Sequence, residues 1–244
     1  MMNMIPKVIH YCWFGGKPLP PLQQKCLKSW CEKCPDFEIR LWNEENFDID
    51  ACDYAREAYA AGKYAFVSDY ARFRILQEFG GFFLDTDVEL LRPLSEFPAD
   101  GCFMACEEPG LVNTGLILGA PANDPLIGEI LDGYRNRHFL DESGKPDMTT
   151  VVTYVTEALE KRGLEKTDEV QRLPGVTVWP PRYFSPKSLQ TGKVELTPDT
   201  WSIHHFAASW ESAQSRFRGK VYRALRRVLG EGAAEKIRAL LGRK

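Results

Sequence analysis

Two aspartates, Asp85 and Asp87, interrupt the apolar run "GGFFLDTDVELLRP" at residues 80–93. Phe82, Phe83 and Leu84 read as a buried strand after a glycine turn, and residues two apart along a strand share a face. Continued through the aspartates, that strand sets two carboxylates roughly 7 Å apart on one side. Ionised carboxylates beside apolar surroundings repel one another and are costly to desolvate unless a cation sits with them. Hard oxygen donors suit Mg²⁺ or Mn²⁺, ions that keep positions open for the phosphate oxygens of a substrate. An aspartate at a strand end also serves to open a turn, so the pair alone leaves both readings standing.

A second charged pair lies just upstream. Asp69, Arg72, Phe73 and Leu76 stand at i, i+3, i+4 and i+7, which lays them along one side of a helix. An exposed Asp–Arg pair contributes only about 0.2–0.5 kcal/mol. On an apolar stripe the same pair is either a satisfied buried ion pair or part of a site.

The elements that must position these residues follow from the pattern. "KVIHYCWFGG" (7–16) is a β-branched and aromatic strand ending at a glycine pair, and "PPLQQKCLKSWCEKC" (20–34) is helical behind its prolines. "FEIRLW" (37–42) alternates as a strand, "ACDYAREAYAAGK" (51–63) is an Ala-rich helix, and "AFVSDYARFRILQEFGG" (65–81) is a helix closed by glycine. Short strands "GCFMACEE" and "VNTGLILG" and two helices near 125–136 and 148–162 complete the body. Alternating strands and helices specify an α/β fold with a mainly parallel sheet. In such sheets ligands bind at the carboxyl ends of strands, where Trp13, Gly15, Asp85 and Asp87 fall.

The 244 residues, 44% hydrophobic and 27% charged, suit one α/β domain. No run of about eighteen apolar residues occurs and the start lacks a basic stretch leading into an apolar one, so neither a membrane span nor a secretion signal is expected. Seven cysteines, an odd number, suit reduced thiols and a cytoplasmic setting. Cys31 and Cys34 form a lone "CEKC" with no second ligand pair for zinc.

The motifs "IPKVIHYCWFGG", "SDYARFRILQEFGGFFLDTDV" and "IHHFAASW" together resemble the glycosyltransferases of family 32, whose sugar-binding region contains the DxD motif. The resemblance runs in order through most of residues 5–210. It implies a GT-A type, nucleotide-sugar-binding (Rossmann-like) mixed sheet flanked by helices over residues 1–212. It further implies a nucleotide-sugar donor, a UDP-sugar, a divalent metal, and transfer of a hexose with retention to a saccharide or lipid-linked saccharide acceptor in surface polysaccharide synthesis. By the same resemblance Asp87 coordinates the metal, Asp85 contacts ribose, sugar or metal, and Asp69 and Arg72 hold the donor sugar and its phosphate. Trp13 is placed to stack on the nucleotide base, a task that suits a flat indole.

Asn113, in "VNTGLILG", would by resemblance reach the donor sugar or the transfer centre, although it could equally cap a turn. In "WSIHHFAASW", His204 and His205 point to opposite sides of a strand, so only one can join the aspartates. Likeness to retaining galactosyltransferases with an H-x-x-G motif favours His205 as the third metal ligand. Ser209 and Trp210 would belong to a loop closing on the donor, with Ala208 standing where relatives often have Gly. Glu107, Glu108 and Asp147 are acceptor-side candidates that also read as solvated loop residues.

Other classes fit less of the pattern. A haloacid-dehalogenase-type phosphatase uses an aspartate pair of this spacing, but on its first strand and with Thr or Val where this chain has Glu89. A silent sugar-binding protein would not need Asp69, Arg72, Asp85 and Asp87 all intact.

Residues 213–244 read as a separate basic amphipathic tail. From 211 onward ten Lys or Arg face three acidic residues, while the whole chain carries −3. Phe217, Val221, Leu225, Val228 and Leu229 share a helical stripe ringed by arginines, a pattern suited to the anionic inner face of a membrane and not, given the acidic body, to nucleic acid.

Overall fold

The computed structural model describes residues 4–189 and 191–207. Ser209, Trp210 and the tail lie outside the described residues.

The chain runs β1 (Val8–Cys12), α1 (Pro21–Lys33), β2 (Glu38–Trp42), a 3₁₀ turn at Ile49–Ala51, α2 (Asp53–Ala60), α3 (Tyr64–Phe79), β3 (Gly81–Phe83) and β4 (Val88–Leu90). It continues through β5 (Phe103–Glu108), β6 (Leu111–Val112), β7 (Leu118–Ala120), α4 (Pro125–Asp132), α5 (Val151–Glu160), β8 (Gln171–Leu173), β9 (Val176–Trp179), α6 (Pro181–Phe184) and β10 (Ser202–His204). The main sheet has the order β2-β1-β3-β7-β5-β9-β8, with β6 paired to β5. The β1–β2, β1–β3 and β5–β9 pairs are parallel; β3–β7, β5–β7 and β8–β9 are antiparallel. The sheet is therefore mixed rather than mainly parallel, because β7 returns between β3 and β5.

Side-chain alternation divides the core between the two faces of the sheet. Phe83, Met104, Cys106 and Leu118 join one cluster with α2, α3, α4 and α5. Ile9, Tyr11, Phe82, Leu84, Phe103 and Ala105 join the other, with Trp30 of α1, Val88, Leu90 and Trp201. Helix α3 shows why its sequence lacks a clean polar stripe: between Phe66 and Leu76 all but Ser68 and the exposed Arg74 are buried, and the helix touches α2, α4, β1 and β3. A helix enclosed on most sides reads as apolar all round. Gly80 ends it at φ +61°, where a Cβ would come within 2.5 Å of the Ala122 backbone nitrogen.

The aspartates do not continue β3. The strand stops at Phe83, and Val88 N–H donates back to the Asp85 carbonyl at 3.0 Å, closing a turn over 85–88. Beyond it β4 leaves the sheet and pairs antiparallel with β10, His204 opposite Val88. Two contacts from α1 hold β4 in place: Trp30 Nε1 donates to Val88 O at 2.7 Å, and Leu90 N–H donates to Ser29 Oγ at 2.9 Å. All seven cysteines are free, Cys31 exposed and Cys34 buried.

Candidate active site

A cavity of about 660 Å³ opens where β1, β3 and β10 end beside α3. Trp13 and Tyr64 line one part of it; Asp69, Arg72, Asp85, Asp87, Glu107, Asn113 and His204 line another. Four segments, spread from residue 69 to residue 204, supply the charged groups.

Helix α3 contributes Asp69 and Arg72, one turn apart. Arg72, whose side chain is 3% exposed, lies 2.8 Å from Asp69 Oδ1 and 3.2 Å from Asp85 Oδ1. It also donates to Thr114 Oγ1 at 2.9 Å and to the Ser68 carbonyl at 3.2 Å, and its guanidinium sits 5.0 Å from the Phe83 ring. Burial opposes its charge, but Asp85 and Asp69 more than offset that, so the guanidinium is held charged. Burial pushes the Asp69 carboxyl up to about 6, against the pull of Arg72 and with the repulsion of Asp85.

The turn after β3 contributes Asp85 and Asp87, and their environments differ. Asp85 shares Arg72 with Asp69. Asp87 is set deeper, with Oδ1 3.0 Å from His204 Nε2 and Oδ2 accepting from the Ala207 N–H at 2.7 Å. Burial alone would raise the Asp87 carboxyl, yet the charge and hydrogen bond of His204 and the Ala207 N–H hold it down at about 2. In return, Asp87, Asp85 and Glu107 raise the imidazole of His204 against its own burial.

The two histidines take the opposite assignment from that suggested by the sequence comparison. His204 faces the aspartates, whereas His205 Nε2 lies 2.8 Å from Glu89 on the other side of the ribbon, with Lys25 on the same carboxylate. The cause is register: Val88 pairs with His204, and the His205 N–H donates to the Asp87 carbonyl at 3.0 Å. Strand alternation then directs the His205 ring away.

Asp85, Asp87 and His204 each offer a ligand atom, and these atoms lie within 4.8 Å of one another. Two carboxylates and an imidazole suit Mn²⁺, with Mg²⁺ favouring the oxygens. The charge balance agrees: Asp69, Asp85, Asp87 and Glu107 line the cavity against Arg72, His204 and an exposed Lys17. His204 turns Nε2 toward Asp87, while its Nδ1 is buried without a hydrogen-bond partner among the described residues.

The remaining expected residues are placed as follows. Trp13 follows β1, is half-buried, belongs to neither core cluster, and donates through Nε1 to the Lys17 carbonyl at 2.5 Å. Asn113 does not reach into open space: Nδ2 donates to Glu107 at 2.7 Å and Oδ1 accepts from the Gly115 N–H at 2.8 Å. Glu107, easily taken for a solvated loop residue, lines the cavity, and burial raises its carboxyl. Asp147 borders an adjacent shallow depression instead. Thr114 and Gly115 carry no chemical signal in sequence beyond that of a turn, yet both touch charged groups of the site.

Residues 20–104 match the family described as "Glycosyltransferase sugar-binding region containing DXD motif". Over this segment, about a third of the chain, the protein is similar to DXD-type glycosyltransferases. The segment holds Asp69, Arg72, Asp85 and Asp87, while Trp13, Asn113 and His204 fall outside its limits. The chain is 33% identical over 102 residues to inositol phosphoceramide mannosyltransferase 3 of Schizosaccharomyces pombe, a match covering 39% of this chain and 28% of that protein. It is 28% identical over 143 residues to an uncharacterised glycosyltransferase of Acanthamoeba polyphaga mimivirus, covering 52% and 54%. The match thus spans roughly a quarter and roughly half of these relatives' lengths. Among solved structures, a glycosyltransferase involved in glycosylation of the major capsid of PBCV-1 matches with TM-score 0.47 and 16% identity over 88% of this chain and 100% of that one. The galactosyltransferase LgtC matches with TM-score 0.47 and 12% identity over 88% and 93%.

Proposed function

We propose that this chain is a metal-dependent, retaining glycosyltransferase of GT-A type. It moves a hexose from a nucleotide-sugar, a UDP-sugar, to a saccharide or lipid-linked saccharide acceptor. The observation that carries this reading is the meeting of Asp85, Asp87 and His204 within one cavity that also presents Trp13.

A divalent ion held by these three groups would supply positive charge to the diphosphate as its bond to the anomeric carbon breaks. The chain's own residues supply the rest. Asp87, its carboxyl held down at about 2 and so ionised at neutral pH, and His204 beside it form the buried part of the donor set. Arg72 fixes Asp85 and Asp69 at one wall, where Asp69 can accept a hydroxyl of the donor sugar. Trp13 offers its indole to the base. Transfer breaks the bond from anomeric carbon to phosphate oxygen and forms one to the acceptor oxygen on the same face. The acceptor proton passes to the leaving phosphate. Retention rests on the family resemblance.

Incubation with UDP-glucose, UDP-galactose, UDP-N-acetylhexosamines and GDP-mannose in Mn²⁺ tests the reading. Release of nucleoside diphosphate from at least one donor, lost in EDTA, is expected. No turnover of any donor, or full turnover in EDTA, overturns it; hydrolysis of a general phosphatase substrate would favour the dehalogenase-like chemistry instead.

For residues 213–244 we propose peripheral attachment to an anionic membrane. The support is compositional, ten basic against three acidic residues from 211 onward. Among the described residues no helix is long and apolar enough to cross a membrane. Co-sedimentation with phosphatidylserine vesicles at low salt should occur for the full chain and fail for a chain ending at Ser212.

A further inference from the structure

The loop between β6 and β7 touches three charged groups of the cavity through three consecutive residues. Asn113 donates to Glu107 at 2.7 Å. Thr114 accepts from Arg72 at 2.9 Å. Gly115 lies directly against Asp85: a Cβ built on it would come within 2.0 Å of Asp85 Oδ2 and 2.6 Å of its Cγ. The Asp85 N–H also donates to the Gly115 carbonyl at 2.9 Å, and the Gly115 N–H is held by Asn113 Oδ1 at 2.8 Å.

Glycine is used here for space. Gly115 is absent from the glycines with positive φ, so its backbone conformation admits other residues. What opposes them is the Asp85 carboxylate in the place a side chain would occupy, which an added methyl group would have to displace. Asp85 is hemmed on its other side by Arg72 at 3.2 Å, so it cannot withdraw without breaking that pair.

We propose that Asn113, Thr114 and Gly115 form a positioning element in which each residue sets one charged group of the site, and that bare Gly115 sets the location of the Asp85 carboxylate. The inference rests on the metal reading above only for its ligand, Mn²⁺. Gly115 is a positioning residue: it acts through Asp85. Asn113 lines the cavity while its amide also holds Glu107 and Gly115.

The test uses Gly115→Ala in the wild-type chain and in an Asp85→Ala background, with Gly128→Ala as control, since a Cβ at Gly128 meets nothing closer than Gln77 at 3.5 Å. Mn²⁺ affinity is read by electron paramagnetic resonance and stability by thermal melting. Gly115→Ala should weaken Mn²⁺ binding tenfold or more and lower Tm. In the Asp85→Ala background the methyl group has room, so most of the Tm loss should disappear, and Gly128→Ala should leave both readings near wild type. If Gly115→Ala does not fold alone, recovery of folding in the double variant supports the proposal and continued failure overturns it. Mn²⁺ affinity within twofold of wild type, or an equal Tm loss in both backgrounds, also overturns it. If the wild-type chain binds no Mn²⁺, the metal reading fails, and the Tm comparison still decides the positioning role.

Discussion

His204 Nε2 lies 3.0 Å from Asp87 Oδ1, across 117 residues of sequence. The next residue, His205, turns to Glu89 instead. The two histidines therefore give a matched pair for separating the site from its surroundings. His204→Ala should weaken Mn²⁺ binding by at least tenfold, and Asp87→Asn should do the same, because each removes one group of the donor set. His205→Ala should change affinity less than about threefold, since that ring pairs with Glu89 outside the cavity. Calorimetric Mn²⁺ titration of the three variants decides; equal losses for both histidines would remove His204 from the set.

Arg72 is buried with two carboxylates on it, so its loss should be felt as stability. Arg72→Met should cost about 3–5 kcal/mol, because it strands Asp69 and Asp85 without a counter-charge. Arg72→Lys should recover only part, since an ammonium cannot reproduce the fork that spans both carboxylates and Thr114. Urea unfolding at neutral pH measures both, and a Met variant as stable as wild type would contradict the account.

Trp13 belongs to neither core cluster, so Trp13→Ala should leave the melting temperature near wild type. Its stacking role is worth about 1–3 kcal/mol, which is a loss of UDP affinity of about 5-fold to 160-fold. Titration with UDP and Mn²⁺ checks it. Unchanged UDP affinity in the folded variant would exclude the indole from base binding.

His10 predicts a pH dependence. Its ring is fully buried, with Nε2 3.0 Å from the Gly80 carbonyl, while Trp42 Nε1, a donor only, donates to Nδ1 at 3.1 Å. That arrangement requires the neutral ring with its proton on Nε2. Burial lowers its pKa from 6.5 to about 4. The unfolded chain thus binds a proton that the folded one refuses, so this stability is complete above pH 6.5 and is lost as pH falls toward 4. Asp69, raised to about 6, acts in the opposite sense, gaining stability as pH falls through 6. The difference between wild type and His10→Gln isolates the histidine. The variant should gain about 2 kcal/mol relative to wild type between pH 7.5 and pH 5. A constant difference across that range would show that the ring does not titrate this way.

Much of the site is legible in the sequence because it is local. Asp69 and Arg72 share a helical face, and Asp85 and Asp87 share a short turn, so spacing alone brings each pair together. Spacing misleads where the chain stops being periodic: the turn at 85–88 still brings the aspartates near one another, but by bending rather than by strand alternation. The choice between His204 and His205 was not available locally, since alternation says only that they diverge. It depends on which residue of β10 faces Val88, a pairing between strands over a hundred residues apart. Glu107 and Gly115 are hidden for a related reason: their neighbours come from packing of loops on the sheet. The mixed sheet likewise arises from the return of β7 between β3 and β5, which no short window reveals.

The ribbon of β4 and β10 also gives the protein a history. A ribosome adding about 5–20 residues per second exposes both aspartates roughly ten seconds before it delivers the histidine that completes their cluster. Until the late strand docks, the nascent chain holds an open acidic turn and no third ligand. The site is a clasp fastened only once β10 has been made and docked, so loading with a cation would report that these two distant segments have met.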